Sequence, residues 1–594
     1  MSDRTDPEAA PEPLSVLEPT SERVPTEAVE VVGGGPANAP VAPPNRARRL
    51  RLALAAVGAS LVILVGAAGF TIVASGSAPS AVLAWAPADT VEYTEIRADM
   101  PGDQRANLIA FLAHFPGFAD QTSFDAKADD GLDRLVKRMT DNKHDFSTEI
   151  KPWFSGQLGI SVESFDSDAP AALLVASVRD PQAATAWLSS IAPAGVSHES
   201  VGGILVTEMA EPSGSKTAWA VDGSVVLAGS LDSVKAAMTR GPGNALASSA
   251  GFKAAQASLG GDALGSVYVD LKAMLAALSA AEKKMLHVGA GGGAGGSAGT
   301  LALPTLDPSA LPGWAAMRVR AESDHLLLDS AVPTTKDSPK VEARTSQLAA
   351  LLPADTVVQA EGRDVGSTLK AVLAQVEAQP GGPTAAQVDD IAKYVGGVNA
   401  AIGWLGDADL VVLDHSSIFS EGLVAQTNDP TASVNLLTEL KSLAGLAGSK
   451  AGLTMATEPY AGQTITTVTI PAPAGSNLPG DKLELAFAQT DKIVILGIGD
   501  GFVKAVLDTK PGAALADQAG YQQAIGLAGA TNAGQGYVDL TGLRSGLQAL
   551  AASSHSSADY DANIKPYLEP ISSIAWSVSV NDGVANGRWV LVVK

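Results

Sequence analysis

Side chains that could do chemistry are sparse in this chain, and most are set in surroundings that do not support catalysis. Gly295-Gly296-Ser297-Ala298-Gly299 has the Gly-x-Ser-x-Gly spacing of a hydrolase nucleophile elbow, and Gly291 to Gly296 has the spacing of a dinucleotide-binding turn. Both motifs work only when a strand precedes and a helix follows, because that frame holds the hydroxyl or the phosphate in place. Here both lie inside the low-complexity stretch 289–300, which reads as a flexible glycine linker, so Ser297 is expected to be inert. The seven histidines, His114, His144, His198, His287, His325, His415 and His555, show no i, i+4 pair that would turn two imidazoles toward one zinc ion. Asp125, Asp129, Asp130 and Asp133 are dense enough for a hard cation. They lack the alternating oxygen ligands and distal Glu of a calcium loop, and read instead as helix capping and solvation. The expectation is no catalytic residue, no metal ligand and no cofactor-binding residue.

Composition narrows the function classes further. The chain has 594 residues, room for several domains, with 46% hydrophobic and 17% charged side chains. Forty basic against 63 acidic residues, a formal charge of −23, leave no basic surface for phosphate neutralisation, which excludes a nucleic-acid binder. The absence of cysteine excludes disulfides, thiolate metal sites, cysteine catalysis and a lipoprotein anchor.

Residues 1–51 are rich in Pro, Glu, Ser and Thr without apolar periodicity and read as a disordered cytoplasmic tail. Residues 52–74 (LALAAVGASLVILVGAAGFTIVA) carry no charge, and such a run is long enough to cross about 30 Å of hydrocarbon as a helix. Arg46, Arg48, Arg49 and Arg51 precede this run and no basic residue follows it through Ala88, which keeps the N-terminus inside. A cleavable signal peptide is the alternative; the long run and the long N-terminal extension disfavour it. The expected location is therefore the plasma membrane, with a single pass contacting the bilayer through residues 52–74 and everything after Ser75 extracytoplasmic.

The outer part repeats itself. Pro87-Ala88-Asp89-Thr90-Val91 recurs as Pro353-Ala354-Asp355-Thr356-Val357, Trp153 is answered by Trp404, and Asp180-Pro181 by Asp429-Pro430. Val234 to Leu271 matches Val503 to Leu540 without a gap, with roughly 17 of 38 positions identical. Both copies end Tyr-Val-Asp-Leu, at Tyr268–Leu271 and Tyr537–Leu540. Asp89 and Asp355 are expected to fix their turns by accepting backbone N–H groups, and Asp270 and Asp539 to cap the helices that follow. Two tandem homologous lobes are expected, 84–335 (with the linker 289–300 inside it) and 348–594, joined by an exposed polar segment, 336–347.

The patterning predicts the elements within a lobe. A strand is expected over 91–97 and amphipathic helices over 104–115 and 131–143, the latter capped by Asp129 and Asp130. Further strands are expected over 158–163 and 172–178, with a helix starting at Pro181. Short β-rich runs over 204–209, 217–221 and 225–228, with the turn signal Asp222-Gly223, predict hairpins. Strands over 314–321 and 326–332 close the lobe and are answered by 574–580 and 587–593. The fold class is α+β, each lobe a mainly antiparallel sheet with packed helices.

The Pro-Ala-Asp-Thr strand start, the stretch Phe111-Leu112-Ala113-His114-Phe115-Pro116-Gly117-Phe118, and Pro152-Trp153 with Gly156 nearby resemble an actinobacterial family catalogued as domain of unknown function 3352. The resemblance covers most of Ala84 to Lys594 and implies a membrane-anchored envelope protein; it brings no activity, cofactor or catalytic residue. The second copy departs from the pattern, with Gln375, Glu377 and Gln379 where the first has Phe111, Ala113 and Phe115. The expected function is a non-enzymatic envelope module that binds a protein, polymer or lipid partner. The alternative is a carrier or sensor of an apolar, lipid-like ligand, which an apolar cavity of several hundred Å³ would favour; a packed core with an exposed apolar seam would favour partner binding.

Overall fold

The computed structural model describes residues 80–594 apart from 141, 165–170, 193–194, 211–215, 241–244, 278–310, 337, 378–386, 388–392, 416–417, 472–481, 554–557 and 559. The tail 1–51, the apolar run 52–74, the linker 289–300 with Ser297, and His287 and His555 lie outside the described residues. Among the described residues no helix is long and apolar enough to cross a membrane.

The first ten strands are β1 (Glu92–Arg97), β2 (Phe154–Ser164), β3 (Ala171–Val178), β4 (Ser197–Val201), β5 (Ile204–Ala210), β6 (Lys216–Asp222), β7 (Val225–Ser230), β8 (Gly265–Val269), β9 (Ala315–Ala321) and β10 (His325–Pro333). The next ten are β11 (Thr356–Gly362), β12 (Leu405–His415), β13 (Ile418–Thr427), β14 (Thr454–Tyr460), β15 (Gln463–Pro471), β16 (Lys482–Gln489), β17 (Ile493–Ile498), β18 (Gly534–Asp539), β19 (Ile571–Asn581) and β20 (Val584–Val593).

These strands hydrogen-bond into one antiparallel sheet in the order 4-5-6-7-3-2-1-8-9-10-20-19-18-11-12-13-17-16-15-14. Adding ten to any strand of the first half gives its counterpart at the same distance from the centre, so the order reads the same from either end. Smaller features correspond too: Pro87 bridges Ala245 as Pro353 bridges Ala514.

Helices pack on both faces. They include α1 (Gln104–Leu112), α2 (Phe124–Met139), α3 (Pro181–Ile191), α4 (Leu231–Arg240) and α5 (Ala250–Leu259), then α6 (Val365–Glu377), α7 (Pro430–Ala451), α8 (Asp500–Asp508), α9 (Ala519–Ala528) and α10 (Leu540–Ser553). Proline opens α3 and α7 where its missing N–H costs nothing. The preceding aspartates cap them, Asp180 accepting from Ala183 N at 2.9 Å and Asp429 from Ala432 N at 3.0 Å. Asp270 likewise accepts from Ala273 N (2.9 Å) at the start of the helix over 271–277, and Asp539 from Thr541 N (2.8 Å) before α10.

Several expectations need correction. Helix α2 begins at Phe124, seven residues before Gly131, because Asp120 and Ser123 end the preceding turn; Asp129 and Asp130 therefore lie within the helix and cap nothing. Strand β4, exposed along most of its length, has no alternating apolar pattern to reveal it. The Pro-Ala-Asp-Thr turns are closed by threonine: Thr90 Oγ1 donates to the Pro87 carbonyl and Thr356 Oγ1 to the Pro353 carbonyl, each at 2.7 Å. Asp89 instead points outward, 79% exposed, toward Arg240. The described residues of the segment 336–347 are exposed or half-buried, and near its end Arg344 and Asn532 exchange backbone hydrogen bonds of 2.9 and 3.2 Å.

Most apolar clusters belong to one half, but the central strands exchange side chains. Leu327 of β10 packs into the large second-half core around Phe502, Val590 and Val592, and Val584 of β20 packs against the first-half cluster of Phe252 and Trp314.

Candidate functional site

Cross-strand register brings into one line polar residues that are scattered along the sequence. Reading across paired strands, the line runs Glu95 (β1), Ser266 (β8), Arg318 (β9), Asp329 (β10), Arg588 (β20), Ser577 (β19), Gln535 (β18), Glu361 (β11) and Asp409 (β12). Because side chains alternate between faces, all nine share one face, the one on which α5 and α9 pack.

The centre of the line is a charge cluster. Asp329 and Arg588 occupy equivalent places in their halves, since Asp329 pairs with Arg318 on β9 as Arg588 pairs with Ser577 on β19. Where β10 meets β20 these equivalents face one another, and identical charges there would repel. An Asp–Arg pair removes that conflict, Arg588 Nε donating to Asp329 Oδ1 at 2.7 Å. Asp329 Oδ2 accepts from Arg318 (3.1 and 3.2 Å) and from Arg320 (3.2 and 3.3 Å), so one buried carboxylate serves three guanidinium groups. Burial alone would raise the Asp329 carboxyl; hydrogen bonding and charge from Arg588, with charge from Arg318 and Arg320, outweigh it and hold it below the usual carboxylate range.

This cluster floors a cleft of about 540 Å³ between the C-terminal ends of α5 and α9, walled by Asn586, Ser579 and Asn581 among others. A smaller cavity of about 270 Å³ adjoins it and shares Arg318 and Leu259. Both cavities mix charged and polar side chains with apolar ones such as Leu259 and Val584.

Each arm of the line ends in a buried ionic network. In the first half Arg97 grips Asp99 with two hydrogen bonds of 2.8 Å, and Tyr93 Oη donates to Glu95 Oε2 at 3.0 Å. In the second half Arg363 is bonded to Glu361, and Arg344 to both Asp364 and Asp407. Asp409 accepts from Gln359 Nε2 at 3.1 Å. Burial pushes the Asp409 carboxyl up to about 7, with Asp407 adding to the shift while the Gln359 hydrogen bond and the Arg363 charge oppose it. Glu95 is likewise raised by burial.

The opposite face differs between the halves. In the first, Val267 and Val319 are covered by Leu108 of α1 and Phe124 of α2. In the second, Val319 at 8% exposure is answered by Val578 on β19 at 41%, while Gly536, the counterpart of Val267, is buried. Leu410 is 62% and Trp589 45% exposed, and Trp589 stacks on Trp576 at 4.9 Å between ring centroids. Gly536 makes room for that stack, since a Cβ there would overlap the Trp576 indole.

The residues singled out in the sequence are kept apart. His144 pairs with Glu149 (2.8 Å), His198 with Thr207 (3.2 Å) and His325 with Asp324 (2.7 Å), while His114 is exposed. Asp125 pairs with Arg105, Asp129 with Lys151, and Asp133 accepts from Ser147, so the acidic run disperses into separate contacts. Among the described residues no group of three or more acidic or histidine side chains could hold a metal ion. The Glu-x-Arg pairs Glu95/Arg97 and Glu361/Arg363 escaped the sequence reading, although they stand eight and ten residues after the repeated prolines Pro87 and Pro353. Asp329 and Arg588 were signalled only as charges inside otherwise apolar strands.

Fold and site thus define an α+β protein built on a single antiparallel sheet, with a polar cleft at its middle. The chain belongs to the family described as protein of unknown function (DUF3352), whose pattern matches residues 112–591. No curated protein matches the chain. Among solved structures, crystal forms III and I of TP0453 are 14% and 10% identical over 43% of this chain and 80% and 79% of that one. The TM-score is 0.21 in both cases, too low to equate the folds.

Proposed function

We propose that this chain is a non-enzymatic binding module of an actinobacterial cell envelope, held at the plasma membrane by residues 52–74 with its tail inside. Its outer part is two homologous lobes that arose by duplication. The matching strand orders and the ungapped repeat support the duplication; the uncharged run after the arginine cluster supports the anchor.

The observation that carries the binding reading is the asymmetry of the apolar face. In the first lobe helices cover the centre of this face around Val267 and Val319, with Leu174 and Leu205 exposed farther out, whereas in the second Leu410, Val578 and Trp589 are exposed near the centre. Contiguous exposed apolar surface is costly to keep unless something docks on it, and aromatic side chains supply large contact area there. The charged floor of the central cleft at Arg318, Asp329 and Arg588 suits a polar ligand better than an apolar one, although Leu259 and Val584 also line it, so the carrier reading is the weaker one.

Three experiments test this. Leu410→Glu and Trp589→Ser should leave the melting temperature close to that of the parent yet abolish complementation of a deletion strain; folded variants that complement fully would remove the docking reading. Lipid-retaining native mass spectrometry of the purified outer part should find no bound lipid; a stoichiometric lipid would favour the carrier instead. Protease added to intact cells should degrade the lobes and spare an N-terminal tag.

A further inference from the structure

The central cleft carries an inference independent of the apolar face. Arg318, Arg320 and Arg588 all bond to Asp329, and of the three only Arg320 has a second carboxylate, Glu322 at 3.5 Å. Within this cluster three cations meet two anions, inside a chain whose formal charge is −23; Glu95 and Asp262, with Arg97, line the smaller cavity on the other side of Arg318. Asp582 also lines the cleft, but it is exposed in the turn between β19 and β20, where water screens it.

The hydrogen-bond inventory points the same way. Arg318 Nη1 is buried and has no partner among the described residues. Arg588 uses Nε on Asp329, which leaves its two terminal nitrogens facing the cleft, and 41% of its side chain is exposed. A buried donor without an acceptor costs free energy, and a guanidinium has five donors in a fork that matches a carboxylate or phosphate. Asp329 does not meet this demand: its Oδ1 accepts from Arg588 Nε and its Oδ2 from Arg318 and Arg320, and neither oxygen is bonded to Arg318 Nη1.

We propose that the cleft where β10 meets β20, together with the smaller cavity that shares Arg318 with it, binds a small polar molecule through its oxyanion, a phosphate or carboxylate held by the terminal nitrogens of Arg588 beside the Arg318 guanidinium. Asn586 and Ser579 on the walls contact the neutral polar part of the ligand. A cleft of about 540 Å³ suits a ligand of small-metabolite size. Asp329 acts in this site as a positioning residue: it holds both guanidinium groups in place and competes with the ligand for them.

Isothermal titration of the purified full-length protein tests the site, using inorganic phosphate in one arm and succinate in the other. At least one should bind with a dissociation constant of millimolar or lower, and the stronger arm identifies the headgroup. Arg588→Gln should weaken that binding about tenfold or more, because charge-assisted hydrogen bonds are lost. Asp329→Asn should tighten it by freeing donors. If Asp329→Asn does not fold, Arg318→Gln replaces it and should also weaken binding. No heat from either anion up to 10 mM, on the order of the weakest binding worth the name, or binding unchanged in folded Arg588→Gln, overturns the proposal.

Discussion

Asp409→Asn should make the protein more stable, and increasingly so as pH rises. Asp409 is fully buried; Gln359 donates to one carboxylate oxygen, while Oδ1 has no hydrogen-bond partner among the described residues. Burial pushes the carboxyl from 3.8 up to about 7. A raised acid pKa means that the folded chain holds its proton where the unfolded chain has released it. Its contribution to stability is therefore complete below the unfolded pKa and is lost as pH rises through about 7. At about 1.4 kcal/mol per unit, the full loss is roughly 4 kcal/mol, more than half of it between pH 5 and pH 8. Asparagine keeps the shape and an acceptor for Gln359 and cannot ionise, so it escapes this loss. Urea unfolding followed by tryptophan fluorescence at the two pH values reads the difference directly. An advantage of the variant that is equal at both, or larger at pH 5, would refute the buried-carboxylate argument.

Four further substitutions address the scaffold. Asp270→Ala removes the oxygen that accepts from Ala273 N and should cost about 0.5–2 kcal/mol in a thermal melt; loss of cellular function in a fully folded variant would give Asp270 a role beyond capping. Thr90→Val should cost about 1 kcal/mol because Thr90 Oγ1 closes the strand-entry turn, whereas Asp89→Asn, at an exposed position, should stay within about 0.5 kcal/mol; a reversed ranking would return the turn to the aspartate. Gly536→Ala should displace the Trp576 indole, cost about 1–3 kcal/mol and change the near-ultraviolet circular dichroism of the Trp576–Trp589 stack; an unchanged spectrum would mean that the stack is not formed in solution.

Local chemistry made much of this molecule legible in its sequence. Asp180-Pro181 and Asp429-Pro430 announce helix starts because a short carboxylate and a fixed φ act within one turn. Alternation in β9 and β10 and the Asp222-Gly223 turn report strands and a hairpin for the same reason: their causes lie within a few residues. The long repeat added a non-local statement, since equal sequences in equal order imply equal local elements, and the matching strand orders follow from it.

The central cleft needed tertiary structure. Its key contact joins Asp329 to Arg588, 259 residues apart, and depends on which edges of the two halves meet and in what register. A shift of one residue would turn both charges to the other face. The burial that raises Asp409, the dispersal of Asp125, Asp129 and Asp133 among different partners, and the open face around Leu410 were decided in the same way. Side-chain type sets what a residue is able to do, but charge, solvation and exposure depend on neighbours brought from far along the chain, and those neighbours exist only once the sheet has closed across its centre.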